Sequence, residues 1–300
     1  MPEGHSIRRL ANAFERSFVG RQVQLSSPQG RFADGAALLT GETMVATSST
    51  GKHLFLGFSP ESDGPPEQWI HTHLGLYGAW RFAGAIPEDS IGAPRVSDPD
   101  QGYHLAAVEE QSWPPEPRGL VRLRILTADM VADLNGPNQC RVVTTAEKLA
   151  VEDKLGPDPL DPAALESPME DEFVGLVRAS ARPVGDLVMD QSVSAGVGNI
   201  YRAEALFRSG ISPNRLGRNV SERRLRELWR DFVHLMRKGV AEGAINTVEE
   251  DEIRIDEGDP EAARWYVYHR EGRSCLRCGN PVQMADMKGR RLYWCPRCQR

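Results

Sequence analysis

Two places in the 300-residue sequence hold residues whose type and spacing suit chemistry. The first is a cysteine array, Cys275, Cys278, Cys295 and Cys298, spaced C-x2-C-x16-C-x2-C. Each C-x2-C pair can turn as a knuckle that aims two sulfurs at one metal, and two knuckles complete a tetrahedron. Gly279 and Pro296 fall where the knuckle turns belong. Four thiolates leave no open coordination position, so the array predicts one structural Zn2+ rather than a catalytic ion. Two disulfides or redox-active thiols are the competing reading, disfavoured by the matched spacing and an expected reducing compartment. The fifth cysteine, Cys140, reads as a small buried hydrophobe.

The second place is the amino end, Met1-Pro2-Glu3-Gly4. Methionine is normally removed before a small residue, which would leave Pro2 as a free secondary amine. An α-amine has a pKa of about 7.7–8, against about 10.4 for lysine, so much of it is neutral and nucleophilic at neutral pH. A secondary amine that attacks carbon can form a permanently charged iminium, an electron sink for later bond breaking. Glu3 stands beside it as a candidate proton donor and acceptor. Taken singly, proline at position 2 is ordinary, and a glutamate early in a helix is a routine dipole partner.

The elements that must position these groups change character along the chain. Short strands fill the first ~145 residues, at 20–25, 43–48, 53–58, 69–73, 78–82 and 121–126, broken by Gly and Pro clusters. Ile7, Leu10, Ala11, Phe14 and Phe18 recur at helical spacing and predict a helix over Ser6–Phe18. A β-sandwich or barrel with one leading helix follows. Gly156-Pro157-Asp158-Pro159-Leu160-Asp161-Pro162 reads as a stiff, extended connector and hinge. Beyond it the pattern is helical, over 171–180, 184–191, 199–208 and 221–242, and residues 264–300 make a small Cys-rich unit. The fold class expected is multidomain α+β, and no internal repeat is found.

The chain carries a net charge of −6, which argues weakly against a nucleic-acid partner. Its distribution argues the other way. Residues 264–300 hold nine basic against two acidic residues, and 202–238 hold ten against four. Basic segments in an acidic chain are the footprint of DNA binding, although solvated helix faces look the same. No run approaches the ~18 apolar residues of a membrane span. The amino end lacks a secretory pattern, so a cytoplasmic or nucleoid location, with no membrane partner, is expected.

Further motifs carry a resemblance. Met1-Pro2-Glu3-Gly4, Gly51-Lys52-His53, His73-Leu74-Gly75-Leu76-Tyr77-Gly78, Asp190-Gln191 through Gly196-Val197-Gly198-Asn199-Ile200-Tyr201, and the cysteine array occur in that order. The chain resembles the formamidopyrimidine-DNA glycosylase/endonuclease VIII family, on the endonuclease VIII-like side, over nearly its whole length. The resemblance implies three domains: a catalytic β-sandwich at 1–145, a helix–two-turns–helix domain at 150–250 with a hinge linker at 152–170, and a zinc ribbon at 264–300. It implies a monomeric bifunctional DNA glycosylase and AP lyase acting on damaged double-stranded DNA. Pro2 would be the nucleophile and Glu3 the acid/base. Lys52 would stand beside the scissile sugar and phosphate, and Arg290 would bind phosphate and assist the second elimination, with Arg291 a competitor for that role. His73, Leu76, Tyr77, Asn199 and Arg290 would meet DNA, Leu76 and Tyr77 as the wedge that fills the hole left by an extruded base. Without the resemblance, Lys52 reads as a strand-edge charge, Leu76 and Tyr77 as core or turn residues, and Asn199 as a helix cap.

The chain also departs from the family pattern. His5 and Ser6 stand where many relatives carry Pro and Glu. Residues 134–141, Leu134-Asn135-Gly136-Pro137-Asn138-Gln139-Cys140-Arg141, lack the Asp-Pro-Arg-Arg-Phe-Gly motif of the 8-oxoguanine-preferring branch. Arg182 and Gly185 stand near a lysine of that branch without a clean match. The missing motif favours oxidised pyrimidines and abasic sites over 8-oxoguanine as substrates. A catalytically inactive DNA-binding protein of the same fold is the alternative function.

Overall fold

A computed structural model describes residues 2–87, 90–92, 113–254 and 258–300 of the chain. They form two compact units, one of Pro2 and Ser6–Asp153, the other of Glu3–His5 and Lys154–Arg300. No helix among the described residues is long and apolar enough to cross a membrane.

The first unit carries, in chain order, α1 (Gly4–Ser17), β1 (Arg21–Gln22), β2 (Gln24–Ser26), α2 (Ala33–Leu39), β3 (Thr43–Thr50), β4 (His53–Ser59) and β5 (Gln68–His73). It continues with β6 (Ala79–Gly84), β7 (Ser90–Gly92), β8 (Val121–Leu126), β9 (Met130–Asn135), β10 (Gln139–Thr144) and α3 (Thr145–Glu152). Two five-stranded antiparallel sheets result, ordered β1-β3-β4-β5-β10 and β2-β8-β9-β6-β7. Leu54, Leu56, Phe58 and Ile70 of one sheet share a core with Trp80, Phe82, Leu123, Ile125 and Leu134 of the other. The helical spacing of Ile7, Leu10, Ala11 and Phe14 puts these residues on the α1 face that closes this core. The expected sandwich with a leading helix is therefore present.

One strand differs from its expected form. Residues 20–25 do not run as one strand: β1 pairs with β3 in the first sheet and β2 with β8 in the second. Val23, wholly buried between them, marks the corner where the chain changes sheets.

The second unit contains α4 (Ser167–Arg178), α5 (Val184–Leu187), α6 (Asn199–Arg208), α7 (Glu222–Glu242) and the hairpin β11 (Gln283–Met287) and β12 (Arg290–Trp294). Its helical core holds Phe173, Tyr201, Leu206, Trp229, Phe232 and Met236. Gly243, at φ 75°, ends α7 in the left-handed conformation that glycine adopts without a Cβ clash. The helix expected over 184–191 stops at Leu187. Beyond it Asp190 accepts hydrogen bonds from the main chain (3.1 Å) and hydroxyl (2.7 Å) of Ser192, a local alternative to the helical ladder. The 156–162 segment is not the extended connector expected: Leu160 N donates to Asp158 Oδ1 (2.8 Å) and Asp161 N to the Asp158 carbonyl (3.0 Å), so the chain turns there, with Pro157–Pro159 buried. Its Pro157 carbonyl accepts from Ala195 N–H at 2.9 Å.

Candidate functional site

Glu3 is wholly buried, and its carboxylate closes the start of α6. Oε2 accepts from Gly198 N (2.9 Å) and Tyr201 N (3.4 Å), and Oε1 from Ile200 N (2.8 Å). These N–H groups have no partner inside a helix, and the helix dipole favours negative charge there. Glu3 is thus a dipole partner, but of a helix about 200 residues away rather than of its own. Gly198 is small for a reason: a Cβ there would run into the Glu3 carboxylate. The Gly4 N–H donates to the Gly196 carbonyl at 2.9 Å, so the same loop holds the next residue as well. Gln191 staples that loop, its amide donating to the Met189 and Val197 carbonyls and accepting from Gly196 N. His5 packs edge-on against the Tyr201 ring, at 5.5 Å between centroids. His5 is thus a packing residue of the second unit.

In the first unit Lys52 lies on the tight turn between β3 and β4, behind Gly51 at φ 59°. The cross-strand partners His53 and His73 begin the rows beside it. His73 Nδ1 accepts from Gly75 N–H at 3.1 Å. Burial, then the nearby Lys52 charge, lowers the His73 pKa below the ordinary histidine value, which favours a neutral ring. Leu76 and Tyr77 sit on the β5–β6 loop with 41% and 78% of their surface exposed, so neither is a core residue. Pro2 is buried. Cys140 packs at the edge of the sandwich core, and burial pushes its thiol pKa up to about 12.

The ribbon gathers Cys275, Cys278, Cys295 and Cys298 with all four sulfurs within 4.8 Å of one another. Two of the separations are 3.8 Å and 3.5 Å. Four thiolates at about 2.3 Å from a tetrahedral Zn2+ stand roughly 3.8 Å apart, so the donor set fits a structural metal. Gly279, at φ 72°, turns the first knuckle and donates to the Cys275 carbonyl at 2.9 Å. Arg290 opens β12 opposite Met287, with Lys288 (φ 55°) and Gly289 (φ 70°) making the two-residue turn between them. It therefore stands at the hairpin tip, as expected. Asn199, at the first position of α6, turns its amide to the Arg291 carbonyl at 2.8 Å instead of leaving it open. Its Oδ1 accepts from the buried Arg202.

The basic segments are less bare than their composition suggests. Arg208 pairs with Asp231 (2.9 Å) and Glu249 (2.6 Å), and Arg226 with Asp171 (2.5 Å) and Glu222 (2.7 Å). Arg270 is buried against Asp259, and Arg277 pairs with Glu252. Counting charges along the sequence missed these pairs because most of the acidic partners lie outside the two basic segments. Arg290, Arg291 and Arg297 are among the ribbon cations that form no ion pair with any described residue.

The second unit thus carries a buried carboxylate on a helix start and a four-cysteine ribbon, and the first carries Lys52 at the turn that leads into the paired His53 and His73. Comparison with known proteins supplies the class, a DNA glycosylase with a helix–two-turns–helix domain. The formamidopyrimidine-DNA glycosylase N-terminal domain matches residues 1–137, its H2TH domain residues 155–250, and the zinc finger found in FPG and IleRS residues 274–300. The chain is 40% identical over 300 residues to "Endonuclease 8 1" of Mycobacterium tuberculosis, covering 100% of both chains. It is 27% identical over 307 residues, again with full coverage, to "Endonuclease 8" of Escherichia coli. Among solved structures it resembles the Lactococcus lactis Fpg bound to DNA containing N7-benzyl-Fapy-dG, with a TM-score of 0.73, 22% identity and 100% of each chain covered. The same protein bound to DNA containing an oxidised pyrimidine also aligns at a TM-score of 0.73, with 21% identity and 100% of each chain covered. The chain belongs to the formamidopyrimidine-DNA glycosylase/endonuclease 8 family.

Proposed function

We propose that the protein is a bifunctional DNA glycosylase and AP lyase of base excision repair that removes oxidised bases, pyrimidines favoured, from double-stranded DNA. The observation that carries this reading is the buried Glu3 carboxylate, fixed by three N–H groups one peptide bond from Pro2. A proline amine so placed has its approach direction set in advance, which is what positioning contributes to catalysis.

The Pro2 nitrogen lone pair attacks sugar C1′ as the C1′–base bond breaks, and the base leaves with the bonding pair. Glu3 takes up the proton that the amine nitrogen sheds after forming the bond to C1′ and delivers it to the ring oxygen, so that the C1′–O4′ bond breaks and the nitrogen lone pair closes the iminium. The resulting iminium withdraws electrons, so loss of a C2′ proton expels the 3′ phosphate and a second elimination expels the 5′ phosphate. Lys52 stands beside the sugar and phosphate, and Arg290 stabilises the leaving phosphates. His73 positions the backbone, Asn199 acts through its hold on the Arg291 carbonyl beside Arg290, and the exposed Leu76 and Tyr77 enter the gap in the stack. The ribbon at 264–300, with one structural Zn2+ on its four cysteines, holds Arg290 in place.

Borohydride trapping tests the reading. The protein should form a covalent adduct with abasic-site DNA, and a residue retained before Pro2 should abolish it. An adduct that persists with a blocked terminus moves the nucleophile to a lysine. No adduct with the native terminus leaves a DNA-binding protein without lyase chemistry.

A further inference from the structure

His53, His71 and Gln139 form a hydrogen-bonded chain across one face of the first sheet. Register sets His53, His73 and Gln139 in one cross-strand row, and Phe55, His71 and Arg141 in the next. Alternate residues of a strand share a face, so these six side chains lie together. His71 is 1% exposed and stacks on Phe55 at 4.5 Å between centroids. Its Nε2 lies 2.8 Å from His53 Nδ1, and its Nδ1 lies 3.3 Å from Gln139 Nε2. An apolar residue at 71 would pack on Phe55 without desolvating an imidazole. The histidine therefore earns its place through the polar chain it completes.

The chain fixes proton positions. Burial, followed by the charges of His73, Lys52 and Arg141, lowers the His53 pKa to about 4. Burial, followed by His53, Arg141 and His73, lowers that of His71 to about 3. Both rings are neutral at neutral pH, with one proton each. The Gln139 amide donates to His71 Nδ1, so the His71 proton is on Nε2 and is donated to His53 Nδ1. The His53 proton is then on Nε2, the nitrogen facing away from the buried partner. His73 reaches the same state by another route, because the Gly75 N–H occupies its Nδ1. Two register partners beside Lys52 thus present Nε2–H donors.

We propose that His53 is a further DNA-binding residue, its Nε2–H donating to a phosphate oxygen of the strand engaged by Lys52 and His73. This rests on the DNA-processing reading above. A cationic ring beside Lys52 and Arg141 would be repelled, whereas a neutral donor adds direction without charge. The contact therefore releases no counterion, unlike one made by lysine.

Binding to a duplex carrying a tetrahydrofuran abasic analogue, measured across a salt series, tests this. H53N keeps an acceptor near the Nδ1 position for His71 but places nothing at the Nε2 position, whereas H53Q carries an amide to that outer position. H53N should weaken binding about threefold to tenfold with an unchanged salt slope, and H53Q should recover most of the loss. Lys52→Met should instead lower the slope by about one unit. Nitrogen-15 NMR of the parent should show the His53 proton on Nε2. Unchanged binding by H53N, a slope lowered by one unit in H53N, equal loss in both variants, or a proton on Nδ1 would each overturn the inference. A parent that binds no duplex overturns the functional reading and takes this inference with it.

Discussion

The Asn199 side-chain amide donates to the Arg291 carbonyl at 2.8 Å, tying the first residue of α6 to the second residue of β12. The same carbonyl accepts from Arg202 Nη2 at 3.1 Å, so one main-chain oxygen is held by two side chains of one helix turn. Asn199→Leu should remove one of these bonds and leave the Arg202 guanidinium without its Asn199 partner. We expect a loss of about 1–3 kcal/mol. Hydrogen exchange should locate it, with β12 amides exchanging faster and the β4–β5 amides unchanged. Uniform loss of protection across both units would contradict a local anchor.

The His53–His71 pair makes a pH prediction. Both folded-state pKa values, about 4 and about 3, lie below the ordinary histidine value of 6.5. Unfolding therefore takes up protons below that value, and stability falls as pH drops from about 6.5 toward 4. The two groups together should remove roughly 2–4 kcal/mol between pH 7 and pH 5. His71→Asn should flatten that slope by about half in urea titrations at the two pH values. Comparing variant with parent at each pH cancels the contribution of the cysteine ribbon. An unchanged slope would show that the pair is not neutral in the folded state.

The strongest local patterns were legible in the sequence, and non-local pairings were not. The α1 spacing of Ile7, Leu10 and Phe14 and the cysteine array each depend on neighbours in sequence and appear as read. β9, Met130–Asn135, turns Met130, Ala132 and Leu134 to the core and buries Asp133 and Asn135 on its other face, a short alternation that sequence reading passed over. α3 carries a capping box, Thr144 with Glu147, a local signal that could have revealed it. Glu3 on the start of α6 joins residues about 195 positions apart. Gly198, which leaves room for it, gave the only hint. Charge counting failed for the same reason, since Arg270 is neutralised by Asp259, outside the segment counted.

Replacing one cysteine tests the ribbon. Cys295 is wholly buried among the four sulfurs, and a serine there offers a much poorer ligand than a thiolate. Cys295→Ser should lose the bound zinc, measured as metal per chain, and with it affinity for duplex DNA. The unit of Pro2 and Ser6–Asp153 has its own core of Phe14, Leu56, Trp80 and Ile125 and should keep its β-sheet circular-dichroism signal. One zinc per chain retained by the variant would contradict the assignment.

Arg290 at the hairpin tip supports the last prediction. It forms no ion pair among the described residues, and it stands half-buried at the first position of β12, beside the turn. An arginine in that state gains little from folding, so the use that explains it is intermolecular. Its planar fork can hold a phosphate through two parallel hydrogen bonds, which lysine cannot. Arg290→Ala should keep zinc and fold, weaken binding across DNA sequences, and lower the salt slope by about one unit. It should also shift products from δ- toward β-elimination, because the departing 5′ phosphate loses the charge that stabilises it. The variant should then leave a 3′ unsaturated aldehyde where the parent leaves a 3′ phosphate, and electrophoresis of end-labelled strands separates the two. Arg291, the next residue on β12, is exposed and equally unpaired, so it is the necessary control. If Arg291→Ala changes the end product and Arg290→Ala does not, the phosphate-holding arginine is the second residue of β12 rather than the first.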